Sequence, residues 1–231
     1  MFYPLPKKIQ LSPSLAKWSV SSNDSILLIS GLDHLRTQHG FEQSELNTHL
    51  NILVKKAKAL EIPIINLSDE NLPNSMMLLG EQMSVRKQIF ITGIITAQLK
   101  QFIEYFRSVT STIAVVNDAI VLANIEQHIQ WIESMSQNEI HHLNTYSVSR
   151  LWSLSAPKEM VLSPKGILLA VAEHLDMEAL EIDPTVKLIQ YGLDSVSIVS
   201  LVGLWRANGA NIQYEDLKDC SLQQLMPLLV S

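Results

Sequence analysis

The stretch LIQYGLDSVSIV, residues 188–199, restricts the fold of the chain's last third more than any other. Ser195 follows Gly-Leu-Asp and precedes a run of apolar residues. A helix is therefore predicted to open near Asp194-Ser195 and to close at Asn208-Gly209, a common C-terminal stop. The question is why a hydroxyl stands at such a helix start with no histidine beside it in the sequence.

The sequence around this stretch predicts helices only. Ser163-Pro164 is a helix start with proline at its first position. A short helical segment is predicted over Tyr214–Leu217, and Ser221 with Gln224 forms a capping box for a final helix. Pro227 lies inside that helix and should shorten or bend it. We therefore expect a four-helix bundle of about 70 residues.

The part of the chain before this bundle alternates between short apolar runs and helical patterns. The predicted strands are 25–30, 63–67, 88–93 and 111–118, and the predicted helices are 44–61, 95–108 and 124–135. A last strand is expected within 139–154, and SAPKEMVLSP (155–164) is typical of a linker. This alternation predicts an α/β domain over 1–155, with a parallel sheet and flanking helices, before the bundle at 156–231.

Ligands of such sheets bind at the carboxyl ends of the strands. Here those ends carry Gly31, Asn66, Gly93 and the pair Asn117-Asp118.

Composition narrows the class of protein. The chain has 231 residues, of which 47 % are hydrophobic, enough for real cores, and it contains no apolar run of membrane-spanning length. Its first ten residues, MFYPLPKKIQ, lack the apolar core of a signal peptide. Cys220 is the single cysteine and cannot form an internal disulfide. We therefore expect a cytoplasmic protein with no membrane segment.

The negative charge is concentrated in the last 68 residues. The chain carries −6, and residues 164–231 account for −5 of it, with four lysines and arginines against nine acidic residues. An acidic surface disfavours nucleic acid as a partner, because nucleic-acid binding needs clustered cations. It favours basic protein partners.

Three interpretations of Ser195 compete on the residues alone. It could serve as part of a helix cap, as Asp or Ser often does. It could be a catalytic nucleophile, which needs a nearby base, yet the only histidine of this domain is His174. It could be a modification site, since a helix N-terminus favours an attached phosphate and another enzyme would supply the base.

The GLDS stretch, with Tyr191 ahead of it and helices on both sides, closely resembles the carrier domains of nonribosomal peptide synthesis. The resemblance implies that Ser195 carries a 4′-phosphopantetheine arm attached by a phosphopantetheinyl transferase. It also implies that Gly192, Leu193 and Asp194 shape the loop and helix start that this enzyme recognises.

The whole chain resembles the bifunctional isochorismatase–aryl carrier proteins of catecholate siderophore biosynthesis. The landmarks, in order, are Trp18, ILLI (26–29), IFITGI (89–94) and VVNDAIVLAN (115–124). The resemblance implies an isochorismatase-like fold for the first domain. It also implies an aryl acid such as 2,3-dihydroxybenzoate, held as a thioester on the arm.

The catalytic residues of that family do not carry over. The family uses an Asp, a Lys and a Cys, and the matching positions for the Asp and the Cys hold Gly31 and Lys100 here. Asp33 is out of register, only about twenty residues join the second and third predicted strands, and Lys87 is no substitute for the missing Lys. We therefore expect a truncated, non-catalytic first domain. The alternatives are a working bifunctional isochorismatase, or a carrier for an amino acid in another peptide pathway.

The resemblance also implies partners. They are the transferase, a stand-alone aryl-acid adenylation enzyme and a condensation domain, and the first domain could form a homo-oligomer. Docking of these enzymes is predicted on residues near Ser195, with Asp194 and Glu215 as an acidic rim. The predicted docking residues are Val196, Val199, Tyr214 and Leu217, unless the bundle buries them. No metal-ligand spacing is present in the sequence.

Overall fold

The computed structural model describes residues 2–6, 18–68, 72–109, 112–136 and 140–229. The chain divides into two compact units, Met1–Trp152 and Ser153–Ser231, three residues before the predicted boundary. The predicted lack of a signal peptide concerns residues 1–10, of which 1 and 7–10 lie outside the described part. Within the described ranges, no helix has both the length and the apolar character needed to cross a membrane.

The first unit is an α/β structure with a five-stranded parallel sheet. Its strands are β1 (Ser25–Ser30), β2 (Ile64–Leu67), β3 (Gln88–Ile94), β4 (Thr112–Val121) and β5 (His141–Leu143). Its helices are α1 (Leu32–Thr37), α2 (Glu45–Ala59), α3 (Leu72–Val85), α4 (Ala97–Val109), α5 (Ile125–Ser136) and α6 (Thr145–Ser155). The order across the sheet is β2-β1-β3-β4-β5.

The central strand β1 explains why the sheet is covered on both faces. All six of its residues are buried, as in a parallel strand between two helical layers. Leu27 and Ile29 pack in one core with α2, whose cap is the Ser44 side chain, and with α6. Ile26 and Leu28 face the opposite core, which is filled from α3, α4 and α5. Successive side chains of β1 therefore point alternately into two separate cores, one on each face of the sheet.

The chain reverses its direction across the sheet at β1. After β2 on one side of β1, the next strand, β3, pairs on its other side, with Ser30 opposite Gly93. The crevice between the carboxyl ends of two such strands is where open α/β sheets bind their ligands. Gly31 and Gly93 lie at this crevice.

A wide bulge interrupts the pairing of β3 with β4. Ile91 pairs with Val115 and Gly93 pairs with Ile120, so an advance of two residues in β3 matches an advance of five residues in β4. The three extra residues bend β4 locally and take Asn117 and Asp118 out of the ladder.

The structure corrects the predicted elements of the first unit at several places. The segment joining β2 to β3 contains α3, and the loop after β1 contains α1, neither of which was predicted. Of the strand expected within 139–154, only β5 is extended, and α6 follows it. The predicted linker 155–164 contains a short helix, α7 (Lys158–Val161). Residue 111, placed in a predicted strand, lies outside the described residues.

The second unit is a small bundle of helices. These are α7, α8 (Pro164–Leu175), α9 (Ser195–Ala207), α10 (Tyr214–Lys218) and α11 (Leu222–Leu229), with 3-10 turns at Ala179–Glu181 and Leu188–Tyr191. Two of the predicted helix starts have the expected capping hydrogen bonds from side chains. Ser163 Oγ accepts from the Gly166 N–H at 2.9 Å, and Ser221 and Gln224 form the reciprocal bonds of a capping box. Trp205 of α9 is fully buried at the centre of this bundle.

Candidate functional site

The turn before Ser195 depends on a left-handed residue. The 3-10 turn Leu188–Tyr191 ends at Gly192, whose φ is 96°, a conformation that residues with a side chain rarely adopt. A Cβ on Gly192 would meet no atom within 4 Å, so the glycine serves the backbone and not close packing. Leu193 then points into the core and is buried.

Asp194 is the N-cap of α9. Its Oδ1 accepts a hydrogen bond from the Ser197 N–H at 2.7 Å, and this bond lowers the pKa of the Asp194 carboxyl. The carboxylate therefore stays charged at neutral pH and satisfies a free donor of the helix end. The cap is Asp194 and not Ser195, which leaves the serine hydroxyl free of that role.

The loop is tied to the start of α11. The Leu188 N–H donates to the Cys220 carbonyl at 3.0 Å, and Lys187 forms an isolated bridge with Ser221. Tyr191 Oη accepts from the Asp183 N–H at 2.8 Å. Because these contacts come from distant parts of the unit, the loop is held by the fold and not only by its own turn.

Ser195 is the first residue of α9, and its side chain is exposed. Its described hydrogen-bond partner is Tyr214, whose Oη donates to Ser195 Oγ at 3.2 Å. His174, the histidine of this unit, instead has its Nδ1 2.9 Å from the Ala170 carbonyl. In the part of the chain that is described, no histidine or carboxylate is bonded to Ser195, so a nucleophile activated by its own base is disfavoured.

The four predicted docking residues separate into two groups. Val196 and Val199 are exposed, at 78 % and 62 %, and Tyr214 is partly exposed beside Ser195. Leu217 is only 1 % exposed and packs in the core of the unit, so its prediction as a docking residue is wrong. Leu217 is buried although it lies one turn after the partly exposed Tyr214, because α10 packs against α9.

The two sequence positions matched to the family's Asp and Cys hold Gly31, after β1, and Lys100, in α4. Gly31 has a φ of 67°, and a Cβ there would stand 3.0 Å from Ile94 Cδ1. Asp33 and Lys100 are both exposed, and Asp33 lies 3.9 Å from Arg36 across one helical turn.

Asp118 in the bulge of β4 is instead used for structure. Its Oδ1 accepts from the Thr145 N–H at 2.7 Å and from Thr145 Oγ1 at 2.9 Å, at the start of α6. His49 Nδ1 contacts the Asp118 carbonyl and lies 3.9 Å from Oδ2. The bulge thus binds α2 and α6 to the sheet.

Asn117, in the same bulge, contacts a buried histidine of α5 and a half-buried histidine of β5. Its carbonyl accepts from His128 Nε2 at 3.0 Å, so Nε2 carries the proton and Nδ1 accepts from Tyr3 Oη, also at 3.0 Å. The Asn117 amide oxygen lies 2.9 Å from His142 Nδ1. Burial lowers the pKa of His128, and it lowers the pKa of His142 to about 4. Both rings are therefore neutral at neutral pH.

Sequence reasoning placed Asn117-Asp118 at a strand end but did not foresee their role as anchors. It also treated Tyr214 as a docking ring and missed its hydroxyl contact with Ser195. The polar pair Asn117-Asp118 interrupts the apolar run of β4 and predicts a strand end, whereas the strand continues to Val121. The Tyr214 contact joins residues 19 positions apart. Among the described residues, no group of three or more His, Cys, Asp or Glu side chains could hold a metal ion.

No protein-family model matches the chain, and no curated protein matches it significantly. Among the solved structures that match is that of the MAR1 ribonuclease from Caenorhabditis elegans. The two chains share 13 % identity, and the match covers 63 % of this chain and 93 % of that one, with a TM-score of 0.47. A likeness of this size carries no argument about activity.

Proposed function

We propose that the protein is a carrier in nonribosomal peptide synthesis, with a 4′-phosphopantetheine arm on Ser195. The observation that carries the proposal is the exposed hydroxyl of Ser195, presented at the start of α9 with Asp194 as the separate helix cap. Within the described ranges no histidine or carboxylate is hydrogen-bonded to this serine, which suits chemistry done by another enzyme.

The residues of the loop fit such an arm. The Ser195 side chain is exposed, and the position beside Gly192 opens to free space. Leu193 and Tyr191 anchor the turn, so the hydroxyl is held while its surroundings stay accessible. When attached, the arm supplies a thiol that holds an acyl group as a thioester.

The cargo follows from the resemblance of the whole chain. We propose an aryl acid, such as 2,3-dihydroxybenzoate, loaded by a stand-alone adenylation enzyme and passed on to a condensation domain. The exposed Val196 and Val199 and the acidic Asp194 and Glu215 support a docking surface around Ser195 for these partners. The net charge of −5 over residues 164–231 favours basic partner surfaces.

We propose that the first unit is a non-catalytic relative of isochorismatases. Proton transfer during hydrolysis of the vinyl ether needs a placed carboxylate, and Gly31 provides none. A side chain on Gly31, at the sheet's reversal point, would also meet Ile94, since a Cβ there would stand 3.0 Å from Ile94 Cδ1. The chain then acts as a substrate carrier and not as an enzyme.

Intact-mass spectrometry tests the central proposal. Co-expression with a phosphopantetheinyl transferase should add the mass of one phosphopantetheinyl group to the wild-type chain. Ser195→Ala should gain nothing, while Ser200→Ala, which removes an exposed hydroxyl from the same helix, should be modified like wild type. An unmodified wild type, or a modified Ser195→Ala, would contradict the proposal.

The cargo is tested on the modified protein. Incubation with an aryl-acid adenylation enzyme, ATP and labelled 2,3-dihydroxybenzoate should place label on the wild-type chain and none on Ser195→Ala. Label transferred from an amino acid by an amino-acid adenylation enzyme, with none from the aryl acid, would favour the alternative carrier.

A further inference from the structure

The hydrogen bond between Tyr214 and Ser195 joins the first residues of two helices. Tyr214 Oη donates to Ser195 Oγ at 3.2 Å, from α10 to α9. Ser195 is exposed and Tyr214 is partly exposed, so this pair lies at the surface where a modifying enzyme would work. The hydrogen bond to Ser195 Oγ lies outside the core of the bundle, in which Leu217 and Trp205 are buried.

Tyr214 is held firmly enough to act on Ser195. Gln213 and Asp216 form a capping box around the start of α10, in which the Gln213 N–H donates to Asp216 Oδ2 at 2.8 Å. One turn further on, Leu217 is buried in the core, and α10 packs against α9. The phenol is therefore presented by an anchored element and not by a loose side chain on a loop.

The direction of the bond determines what it can do. A phenol is a stronger hydrogen-bond donor than an alkyl hydroxyl, so Tyr214 is the favoured donor of this pair. One lone pair of Ser195 Oγ is then occupied, and the serine's own proton remains available to an outside base. The bond also restricts the Ser195 side chain to a rotamer in which Oγ lies toward α10. The hydroxyl is thereby oriented before any partner arrives.

The electrostatics around Ser195 make a neutral donor useful. Asp194 is negatively charged, and its carboxylate already accepts the Ser197 N–H. A phosphate attached beside it would meet this like charge, and no lysine or arginine within the described residues is hydrogen-bonded to Ser195. The Tyr214 hydroxyl is a donor already in contact with the oxygen that would bear the phosphate.

We propose that Tyr214 is a positioning residue for the modification of Ser195, and afterwards a hydrogen-bond donor to the attached phosphate. This inference rests on the proposed carrier function. In the transfer, Ser195 Oγ forms a bond to the β-phosphorus of coenzyme A and loses its proton to a base on the transferase. The bond from that phosphorus to the bridging oxygen breaks, and adenosine 3′,5′-bisphosphate leaves with the electron pair.

Tyr214→Phe is the decisive variant, because it keeps the ring and removes only the hydroxyl. Modification by a transferase with coenzyme A, followed by intact mass over time, should be about fivefold slower than in wild type, the effect expected of one hydrogen bond. Tyr146→Phe, which changes an exposed tyrosine of the first unit, is the control and should react at the wild-type rate. Thermal midpoints of the unmodified proteins should agree.

A second measurement does not depend on the rate. In protein labelled with 3-fluorotyrosine, the ¹⁹F resonance of residue 214, assigned by its loss in Tyr214→Phe, should shift when Ser195 is modified. The resonance of residue 146 should stay in place. If Tyr214→Phe fails to fold, the resonance of residue 214 is assigned by elimination from Phe variants of the other four tyrosines, and the labelled wild type then decides.

The outcomes separate this inference from the proposed function. A wild type that takes up no group overturns both. A wild type modified on Ser195 keeps the carrier function. In that case, an unchanged rate in folded Tyr214→Phe, or an unmoved ¹⁹F resonance, overturns the role of Tyr214 alone.

Discussion

Ile94 fills the space that a side chain on Gly31 would need. A Cβ at Gly31 would stand 3.0 Å from Ile94 Cδ1 and 3.4 Å from Ile94 Cβ. Gly31 also holds a φ of 67°, in the left-handed region. Ile94 therefore leaves little room for a side chain on Gly31 at the crevice between β1 and β3, where a ligand of this sheet would be expected.

Restoring catalytic side chains at the first unit should therefore fail to create an isochorismatase. The double variant Gly31→Asp with Lys100→Cys would place a carboxylate against Ile94 and a thiol on the exposed face of α4. We expect no pyruvate release from isochorismate in a coupled assay, for this variant or for wild type. Turnover by the purified wild type at ordinary enzyme rates would show that the first unit is an active hydrolase.

The steric conflict between a side chain at position 31 and Ile94 should lower the free energy of unfolding, and Gly40 provides the control. Both glycines have positive φ, but a Cβ at Gly40 would meet nothing within 4 Å. Backbone strain alone should lower the free energy of unfolding of Gly40→Ala by about 1 kcal/mol. The free energy of unfolding of Gly31→Ala should fall by more. Equal losses in urea denaturation would mean that Ile94 moves aside freely.

Asp118 should contribute to stability through Thr145. Asp118→Ala leaves the Thr145 N–H and hydroxyl without their shared acceptor, and we expect the free energy of unfolding to fall by about 2–3 kcal/mol. Asp118→Asn keeps one acceptor oxygen and should lose clearly less. Urea titrations of both variants provide the measurement, and similar losses would argue that the charge, and not the hydrogen-bond acceptor, matters.

Stability should fall in mild acid because of His142. Its pKa in the folded chain is lowered to about 4 by burial, below the 6.5 of a free histidine, so the unfolded chain binds the proton first. Neutral His142 therefore contributes fully to the free energy of unfolding above pH 6.5. This contribution, about 3 kcal/mol, is lost as the pH falls from 6.5 toward 4. Urea denaturation at a series of pH values should show this loss.

His142→Gln keeps a donor for Asn117 and should flatten that pH dependence. A residual slope should remain, since burial also lowers the pKa of His128 and of His141. A variant with the full wild-type slope would show that His142 is not the group that titrates.

Val196 should matter for partner enzymes and not for folding. It is 78 % exposed, so Val196→Asp should leave the thermal midpoint nearly unchanged while slowing aryl loading of the modified protein. Val85→Asp, at 74 % exposure in the first unit, introduces the same change and should load normally. Unfolding of the bundle by Val196→Asp, or normal loading, would place the docking surface elsewhere.

The sequence predicted those elements whose apolar residues keep a clean period. β1 and α9 lie where the pattern placed them, because both are buried along a defined face or strand. α3 was missed because its apolar residues come in adjacent pairs, and Met77 and Leu78 are exposed while Leu79 is buried. The sequence of such a helix lacks the apolar residues at helical spacing by which a buried face is predicted.

The candidate site was predictable in its local part only. The cap at Asp194 and the left-handed Gly192 follow from residues adjacent to Ser195. The bond from Tyr214 and the burial of Leu217 depend on how α10 docks onto α9, which no local pattern specifies.

The ties between the Ser195 loop and the start of α11 set a lower limit on the size of any labelling tag cut from this chain. The Leu188 N–H bonds to Cys220, and the Gln223 N–H donates to the Pro184 carbonyl at 2.8 Å. A peptide that carried only the loop and α9 would lose both restraints along with the core beneath Leu193. A grafted tag that presents the serine as the intact chain does must therefore extend through α11.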